Sequence, residues 1–309
     1  METLKDCWIF YKEDLKTSVR EISYNCFTDS IERCFNKLPW LLNKKILDVT
    51  AEDIILAKKE LLEFYVPISV YRFINLIKNL LEIAVNKKII KENVIKNIKL
   101  PRSREKVPNV ISIKDFKRIL EEINKMRSVT ILKEEVIIFL KLLFKTGLRH
   151  SEARALRWQD INFEDKTIRI THSMYCSSYS KFKLTDTKTL SSRRTIHIDD
   201  NLIEELKKYK LQRKYNKNNN FIFCNEEGKP RIAEFGKYHL NKAAKILGIK
   251  ITTHGLRHSH ASILLKNKIN ILLITKRLGH SSIEVTLKIY CHLIEEDEKE
   301  ILDLMKNIY

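Results

Sequence analysis

Residues 254–261 read His254-Gly255-Leu256-Arg257-His258-Ser259-His260-Ala261. His254 and Arg257 are three residues apart, so on a helix they lie on the same face. Thr253 can cap such a helix, and the positive end of the helix then lies near His254. The stretch predicts a helix whose first turns present an arginine and a histidine to an anion.

Two other short segments place a glycine beside a basic residue in the same way. They are Thr146-Gly147-Leu148-Arg149 and Leu278-Gly279-His280, and with Gly255 they hold three of the six glycines of the chain. This placement predicts backbone turns that aim the neighbouring side chains. Arginine has a planar donor fork that matches phosphate oxygens. Together the segments favour a site for an anion with several negative charges, such as a phosphodiester under nucleophilic attack.

Composition favours the same kind of partner. The 309 residues include 58 Lys and Arg against 39 Asp and Glu, a formal charge of +19, which suits a polyanion but would also suit a solubilising surface. No apolar run reaches the roughly 18 residues of a spanning helix, so we expect no membrane partner. Six cysteines without a C-x-x-C pair or a signal peptide predict reduced thiols in a cytoplasmic protein.

The first hundred residues predict an all-α unit. Thr50-Ala51-Glu52-Asp53 is a capping-box pattern for a helix that should end near Pro67, and Ser69 is placed to cap the next helix. That next helix has a broad apolar stripe, formed by Tyr71, Ile74, Leu76, Ile77, Leu80, Leu81 and Ala84. Residues 99–108 hold two prolines and many charges, which predicts a basic linker, with a surface loop as the alternative.

A second unit begins with another capping-box pattern at Ser112-Ile113-Lys114-Asp115. An apolar helix is expected over residues 134–145, ended by Gly147. Residues 167–171 and 195–198 alternate as strands do, and helical patterns return after Asp200. The predicted fold class is therefore mainly α with a small β-sheet (α+β).

Three segments resemble the boxes of the tyrosine recombinase (phage integrase) family, in order and in spacing. Residues 146–158 resemble its first arginine box, residues 254–261 its H-x-x-R box, and residues 278–290 its last box, which ends in Ile289-Tyr290. The resemblance covers about residues 107–300, and the N-terminal unit is similar in helix pattern to the family's core-binding domain. It implies a helical core-binding (DNA-binding) domain at 1–100, a basic linker at 101–108, and a mixed catalytic domain at 109–309 with a C-terminal tail helix.

The resemblance also implies a role for each matching residue. Tyr290 would attack the scissile phosphate and form a 3′-phosphotyrosyl link, a role that periodicity alone would not assign among 11 tyrosines. The other catalytic groups would be the phosphate donors Arg149, Arg257, His254 and His280. Glu152 would support the arginine site, or form an ordinary surface ion pair with Arg149.

The leaving 5′-oxygen needs a proton donor, which in the family is a lysine on a β-hairpin turn. The segment from Thr187 to Ile196 matches that region, so Lys188 is the candidate, with Lys181 and Lys183 as competitors.

The implied function is site-specific recombination or integration of DNA, for a phage or another mobile element. The implied machinery uses a tyrosine nucleophile and no metal or other cofactor. Expected partners are double-stranded DNA with specific recombination sites, a homotetramer assembled on it, and accessory proteins; the two units would clamp the duplex, and the tail would dock on a neighbouring subunit. The expected location is cytoplasmic, on the nucleoid. A catalytically inactive DNA-binding relative and a related type IB topoisomerase are the alternatives.

Overall fold

A computed structural model of the chain describes residues 2–19, 21–95, 108–127, 130–178, 181–186, 192–280, 282–284 and 287. The chain forms two compact units, Met1–Lys106 and Val107–Tyr309. Most of the predicted linker (101–107) and the predicted tail helix lie outside the described residues. The assignment of a DNA-binding role to the first unit stays a prediction.

The first unit is built from helices. They are α1 (Leu4–Ser18), α2 (Glu21–Phe35), α3 (Pro39–Leu42), α4 (Ala51–Phe64) and α5 (Pro67–Asn86). The predicted capping box at Thr50 is present, because Thr50 accepts from the backbone of Asp53 and the Asp53 carboxylate accepts from the backbone of Thr50. Helix α5 provides the centre of the core, and six of the seven predicted stripe residues are buried, the exception being the half-buried Tyr71.

The start of α5 differs from the prediction at Ser69. The helix begins three residues earlier than predicted, at Pro67, with Val66 as the extended residue before it, and Ser69 is already helical. Proline is favoured at the first helical position because it has no N–H to leave unsatisfied and its φ is already helical. This preference replaces a side-chain cap, so the prediction that Ser69 caps the helix was wrong.

The second unit has seven α-helices and one short 3-10 helix (Trp158–Asp160) among its described residues. The α-helices are α6 (Ile113–Lys125), α7 (Thr130–Thr146), α8 (His150–Ala155), α9 (Asp200–Leu211), α10 (Lys237–Ile246), α11 (Thr253–Lys266) and α12 (Ile271–Leu278). Ser112 caps α6 by accepting from the backbone of Asp115, while the Asp115 carboxylate accepts from the Ser112 hydroxyl. Helix α7 lies at the centre of the core, with Val136, Phe139, Leu140 and Leu143 fully buried.

Small antiparallel sheets complete the second unit. Strands β1 (Ile161–Asn162), β2 (Thr167–Ile170) and β5 (Arg194–His197) form one sheet in the order β1-β2-β5. Strands β3 (His172–Ser178) and β4 (Lys181–Asp186) form a separate hairpin with His172 opposite Asp186. In the first sheet Ile168 lies opposite Ile196, and both are buried against the helices, as the alternation of their strands predicts.

The fold class is confirmed as mainly α with small antiparallel sheets. Within the described parts of the chain, we find no helix with the length and apolar character that a membrane span requires.

Candidate active site

Arg257 lies at the centre of the candidate site and joins its three segments. It is buried within α11, and its Nη1 and Nη2 donate to the carbonyl oxygens of Gly147 (2.7 Å) and Leu278 (2.8 Å). Gly147 ends α7, and Leu278 ends α12. One guanidinium therefore holds the ends of two other helices at the N-terminal half of its own helix.

The cap of α11 is Thr252 rather than the predicted Thr253. The Thr252 side chain accepts from the backbone N–H of Gly255, and Thr253 is the first helical residue. The cap residue must be extended while its side-chain oxygen reaches three residues ahead, and Thr252 has this geometry, with φ −128° and ψ 167° in the β region. His254 still lies in the first turn, where exposed N–H groups favour an anion.

Two of the three glycines do form the predicted turns. Gly147 has φ +68° and Gly279 has φ +66°, a region that favours glycine. Gly255 is helical instead, so the prediction of a turn there was wrong. A Cβ at Gly255 would lie 2.9 Å from the carbonyl oxygen of Asn109 and 2.5 Å from Ile251 Cδ1, so close packing accounts for this glycine.

Arg149 precedes α8 and is bound to Glu152 in two ways. Its backbone N–H donates to Glu152 Oε2 (2.9 Å), and its Nη1 donates to Glu152 Oε1 (2.7 Å). Its Nη2 donates to the carbonyl oxygen of Gly279 (3.1 Å). The Arg149 side chain keeps 35% of its surface exposed, whereas Glu152 keeps 2%. Glu152 and the Gly279 carbonyl thus fix the orientation of the Arg149 side chain, which remains partly open to solvent.

Glu152 also binds a second arginine, Arg194 of β5. Arg194 Nη2 donates to Glu152 Oε2 (2.9 Å) and Nη1 donates to Oε1 (3.2 Å). Burial by itself raises the pKa of Glu152, but its hydrogen bonds and charge interactions with Arg194 and Arg149 outweigh burial and lower that pKa below its usual value. Glu152 is therefore a buried, ionised carboxylate, and the surface-pair alternative is wrong.

The histidines of the site are held neutral. Burial, followed by the positive charges of Arg257 and Arg149, lowers the pKa of His280 to about 3. The same three causes, in the same order, lower the pKa of His254. His258 packs edge-to-face against His254, with ring centroids 4.6 Å apart, and burial lowers its pKa to about 4. A neutral imidazole can donate one N–H, so these side chains can act as hydrogen-bond donors without adding charge.

His260 supports the site from inside the core. Its Nδ1 lies 3.0 Å from the carbonyl oxygen of Phe144, so this nitrogen carries the proton, and its Nε2 accepts from Arg277 Nε (3.1 Å). Burial lowers the pKa of His260 to about 3. Its ring also packs on Gly147, where a Cβ would come within 2.7 Å of His260 Cδ2.

The structure brings Arg149, Arg257, His254 and His280 together with Glu152, as the spacing of the three segments predicts. Tyr290 and Lys188 lie outside the described residues, so their places in the site stay predictions. The competing lysines Lys181 and Lys183 lie on β4, where Lys183 is exposed opposite Tyr175 of β3.

Sequence reasoning missed Arg194, His260 and Arg277. Each lies within or just before a segment that was singled out, but one arginine among 58 Lys and Arg residues, or one of nine histidines, carries no signal of burial. The polar positions on otherwise apolar faces, such as His260 on α11, are the pattern that could have pointed to them.

Chemically, the arrangement is a cationic cluster that can bind a multiply charged oxyanion. The cluster contains three guanidinium groups, those of Arg149, Arg194 and Arg257, and one carboxylate, that of Glu152, which binds Arg149 and Arg194. These four groups together carry a formal charge of +2. In the described portion of the chain, we find no group of three or more His, Cys, Asp or Glu side chains arranged to hold a metal ion.

Comparison with known proteins identifies the family. The phage integrase family model matches residues 109–297. The chain is 34% identical to the integrase of Staphylococcus phage L54a over 62% of this chain, a match that spans 56% of the length of that relative. It is 32% identical to a tyrosine recombinase of Agathobacter rectalis, over 77% of this chain and 76% of the relative.

Solved structures have the same fold. The Tn1549 transposon integrase in complex with a circular intermediate DNA aligns with a TM-score of 0.81 at 18% identity, over 94% of this chain and 95% of that chain. A lambda integrase tetramer bound to a Holliday junction aligns with a TM-score of 0.68 at 18% identity, over 91% and 78% of the two chains. The chain therefore belongs to the phage integrase family of tyrosine recombinases, the family that its three sequence boxes predict.

Proposed function

We propose that this chain is a site-specific recombinase that cuts and rejoins duplex DNA through a 3′-phosphotyrosyl intermediate on Tyr290. Its family membership supports site-specific recombination and DNA strand cleavage and rejoining as the activity. The observation that carries the proposal is the meeting of Arg149, Arg257, His254 and His280 at one buried carboxylate and two helix ends.

In the proposed reaction the Tyr290 oxygen forms a bond to the scissile phosphorus, and the bond from phosphorus to the 5′-oxygen breaks. The tyrosine proton passes to water with the assistance of His254, and Lys188 gives a proton to the 5′-oxygen, which becomes a hydroxyl. Attack by a 5′-hydroxyl of another strand reverses these steps and frees Tyr290. The phosphotyrosyl bond keeps the energy of the broken bond, so joining needs no nucleotide hydrolysis.

The electrostatics of the described residues suit this chemistry. A phosphodiester gains negative charge on its non-bridging oxygens as the nucleophile adds, and donors held in place before the reaction stabilise that charge most. Arg149 is held by Glu152 and Gly279, and Arg257 is held by two carbonyl oxygens. His254 and His280, neutral near pH 7, would each donate one N–H to the same oxygens.

We also propose the assembly. The formal charge of +19 and the DNA-bound integrase structures support duplex DNA as the partner, with specific recombination sites. The lambda integrase tetramer on a Holliday junction supports a homotetramer on DNA. The first unit would serve as the core-binding domain, the tail would dock on a neighbouring subunit, accessory proteins would take part, and the protein would act on the nucleoid.

The test is covalent trapping on a nicked duplex that carries the recombination site, read from the DNA ends that flank the element. Cleavage near the nick releases a short strand, which leaves the phosphotyrosyl adduct unable to rejoin. Wild type should form an adduct of protein and DNA on denaturing gels. Tyr290→Phe should abolish the adduct while DNA binding persists, and Arg149→Ala should abolish it with the hydroxyl still present.

Tyr238→Phe provides the matched control, because Tyr238 is an exposed tyrosine of α10 with 63% of its surface accessible. This variant should form the adduct as wild type does. Binding of the site without any adduct from wild type would favour the inactive DNA-binding alternative. Relaxation of any supercoiled plasmid by the monomer, without dependence on the site, would favour the topoisomerase alternative. An adduct formed by Tyr290→Phe would show that the nucleophile is another residue.

A further inference from the structure

We propose that Arg194 is a positioning residue for Arg149, and that it acts by sharing the charge of Glu152. The inference rests on the proposed function, because Arg149 is taken as a phosphate-binding residue. It assigns a task to a guanidinium of β5 that none of the three sequence boxes contains. The task has two parts: Arg194 neutralises the carboxylate that orients Arg149, and it fastens the helix end that orients Arg149 from the other side.

The first part follows from the geometry of Glu152. Each oxygen of this carboxylate accepts from both arginines: Oε1 from Arg149 Nη1 and Arg194 Nη1, and Oε2 from the Arg149 backbone and Arg194 Nη2. An isolated pair of Arg149 and Glu152 would be neutral, so Arg149 would contribute little net attraction to a phosphate. With Arg194 present the three groups carry a net charge of +1, and the excess charge lies on the side chain that faces solvent.

Burial separates the tasks of the two arginines. The Arg194 side chain is 4% exposed, whereas that of Arg149 is 35% exposed. A group buried to this degree does not reach a DNA phosphate without rearrangement of β5. Arg194 therefore acts through Glu152 and the backbone, and Arg149 is the residue that can meet the phosphate.

The second part concerns the C-terminal end of α12. Arg194 Nε donates to the carbonyl oxygen of Arg277 (2.6 Å), and its guanidinium packs on Gly279, where a Cβ would lie 2.9 Å from Arg194 Nη1. The carbonyl oxygen of Gly279 accepts from Arg149 Nη2, and His280 follows directly. Arg194 thus holds both groups that orient the Arg149 fork, the carboxylate and this carbonyl.

The experiment compares Arg194→Met with the double variant Arg194→Met, Glu152→Gln in the full chain. Removing one preorganised donor from an oxyanion site slows catalysis by about 100-fold or more. Arg194→Met would remove Arg149 as such a donor, because Arg149 would lose its orientation and its net charge, so adduct formation per folded molecule should slow by about 100-fold. Without Arg194, the negative charge of Glu152 would be neutralised by Arg149 alone. Glu152→Gln removes that negative charge. The double variant should therefore form the adduct about 10-fold faster than Arg194→Met. A gain of this size is within the coupling energy expected for residues in one network. Arg194→Lys, which keeps the charge, should lie between wild type and Arg194→Met.

Arg231→Met is the matched control. Arg231 also binds a buried carboxylate through two nitrogens, that of Glu135, which is fully buried. Its replacement leaves an equally buried carboxylate short of a guanidinium but does not touch Arg149. Stability should fall for both arginine variants, while adduct formation per folded molecule should fall for Arg194→Met alone. Circular dichroism measures the folded fraction, and gel shifts measure DNA binding.

A second substrate distinguishes the proposed positioning role of Arg194 from a role in protonating the leaving oxygen. In a nicked duplex with sulfur at the 5′ bridging position, the leaving thiolate needs no proton, since thiols ionise near pH 8.5. This substrate should restore cleavage to Lys188→Ala but not to Arg194→Met. If this substrate restored cleavage to both variants, Arg194 would act, like Lys188, in protonating the leaving oxygen, and the proposal would be overturned.

Three further outcomes would overturn either this proposal or the proposed function. A double variant slower than Arg194→Met would mean that the charge of Glu152 is not what disturbs Arg149, and it would overturn the proposal. So would wild-type cleavage by Arg194→Met. Absence of any adduct from wild type would instead refute the proposed function, so the two failures can be told apart.

Discussion

Replacing Glu152 with alanine would leave Arg194 buried beside Arg149 without the carboxylate that binds both. Breaking a buried ion pair by removal of one partner destabilises a protein by about 3–5 kcal/mol, because the remaining charge is uncompensated. Arg149 is 35% exposed and can be rehydrated, so the lower end, about 3 kcal/mol, is expected. A surface ion pair at this position would contribute about 0–1 kcal/mol instead. The variant thus distinguishes the two interpretations that the sequence leaves open.

Calorimetry of the full chain at pH 7 is the assay. For a unit of 150–250 residues, each kcal/mol moves the midpoint by about 2–4 °C, so the transition of the second unit should fall by about 6–12 °C. The pKa of Glu152 is lowered by folding. Its contribution is therefore complete at pH values above the ordinary value of 4.5 and is lost as the pH falls through the lowered pKa. The difference between wild type and variant should shrink accordingly in acid.

Glu204→Ala is the control for this measurement. Glu204 pairs with Lys207 three residues later on α9, and the two side chains are 59% and 46% exposed. Its loss should change stability by no more than about 0.5 kcal/mol. If Glu152→Ala and Glu204→Ala gave the same midpoint, the reasoning from burial would be refuted.

Three further changes test the surroundings of the site. Gly147→Ala places a Cβ 2.6 Å from Leu278 Cδ2 at φ +68° and should cost about 2–5 kcal/mol in urea denaturation, whereas Gly248→Ala, at the same φ with open space around it, should cost about 1–2 kcal/mol. Thr252→Ala should cost about 1 kcal/mol, and Thr252→Ser should restore most of it. Because burial lowers the pKa of His260 to about 3, its contribution is complete above pH 6.5 and is lost as the pH falls; between pH 6.5 and 5, wild type should lose about 2 kcal/mol more than His260→Gln.

The sequence predicts the meeting of Arg149, His254, Arg257 and His280 because each lies in a short segment with a recognisable signal for a turn or a helix end. It does not predict the buried residues that hold these side chains in place. Arg194 lies on the same face of its strand as the buried Ile196, but a charged side chain at the first position of a strand gives no local sign that it is buried. Its burial depends on the end of α12 closing over it, about eighty residues later, and local patterns do not carry such contacts.

The smaller errors have the same origin. Thr252 and Thr253 are both competent caps, and the choice depends on where the chain turns from extended to helical backbone. Gly255 is required by the approach of Asn109, a contact across nearly 150 residues, rather than by its own φ. Local sequence patterns therefore identify the helices and the candidate donor residues. Tertiary packing determines the exact residues at which the helices begin and end.

Arg257 makes the geometry of the site independent of the length of the chain between its parts. Its two bonds reach carbonyl oxygens 110 residues earlier and 21 residues later. These bonds therefore fix the positions of two helix ends directly, rather than through the loops that join them. Insertions between α8 and α11 should be tolerated as long as the helix ends can still close on this guanidinium. Relatives of very different length can then share one reaction centre, and new peripheral segments can be acquired without rebuilding it.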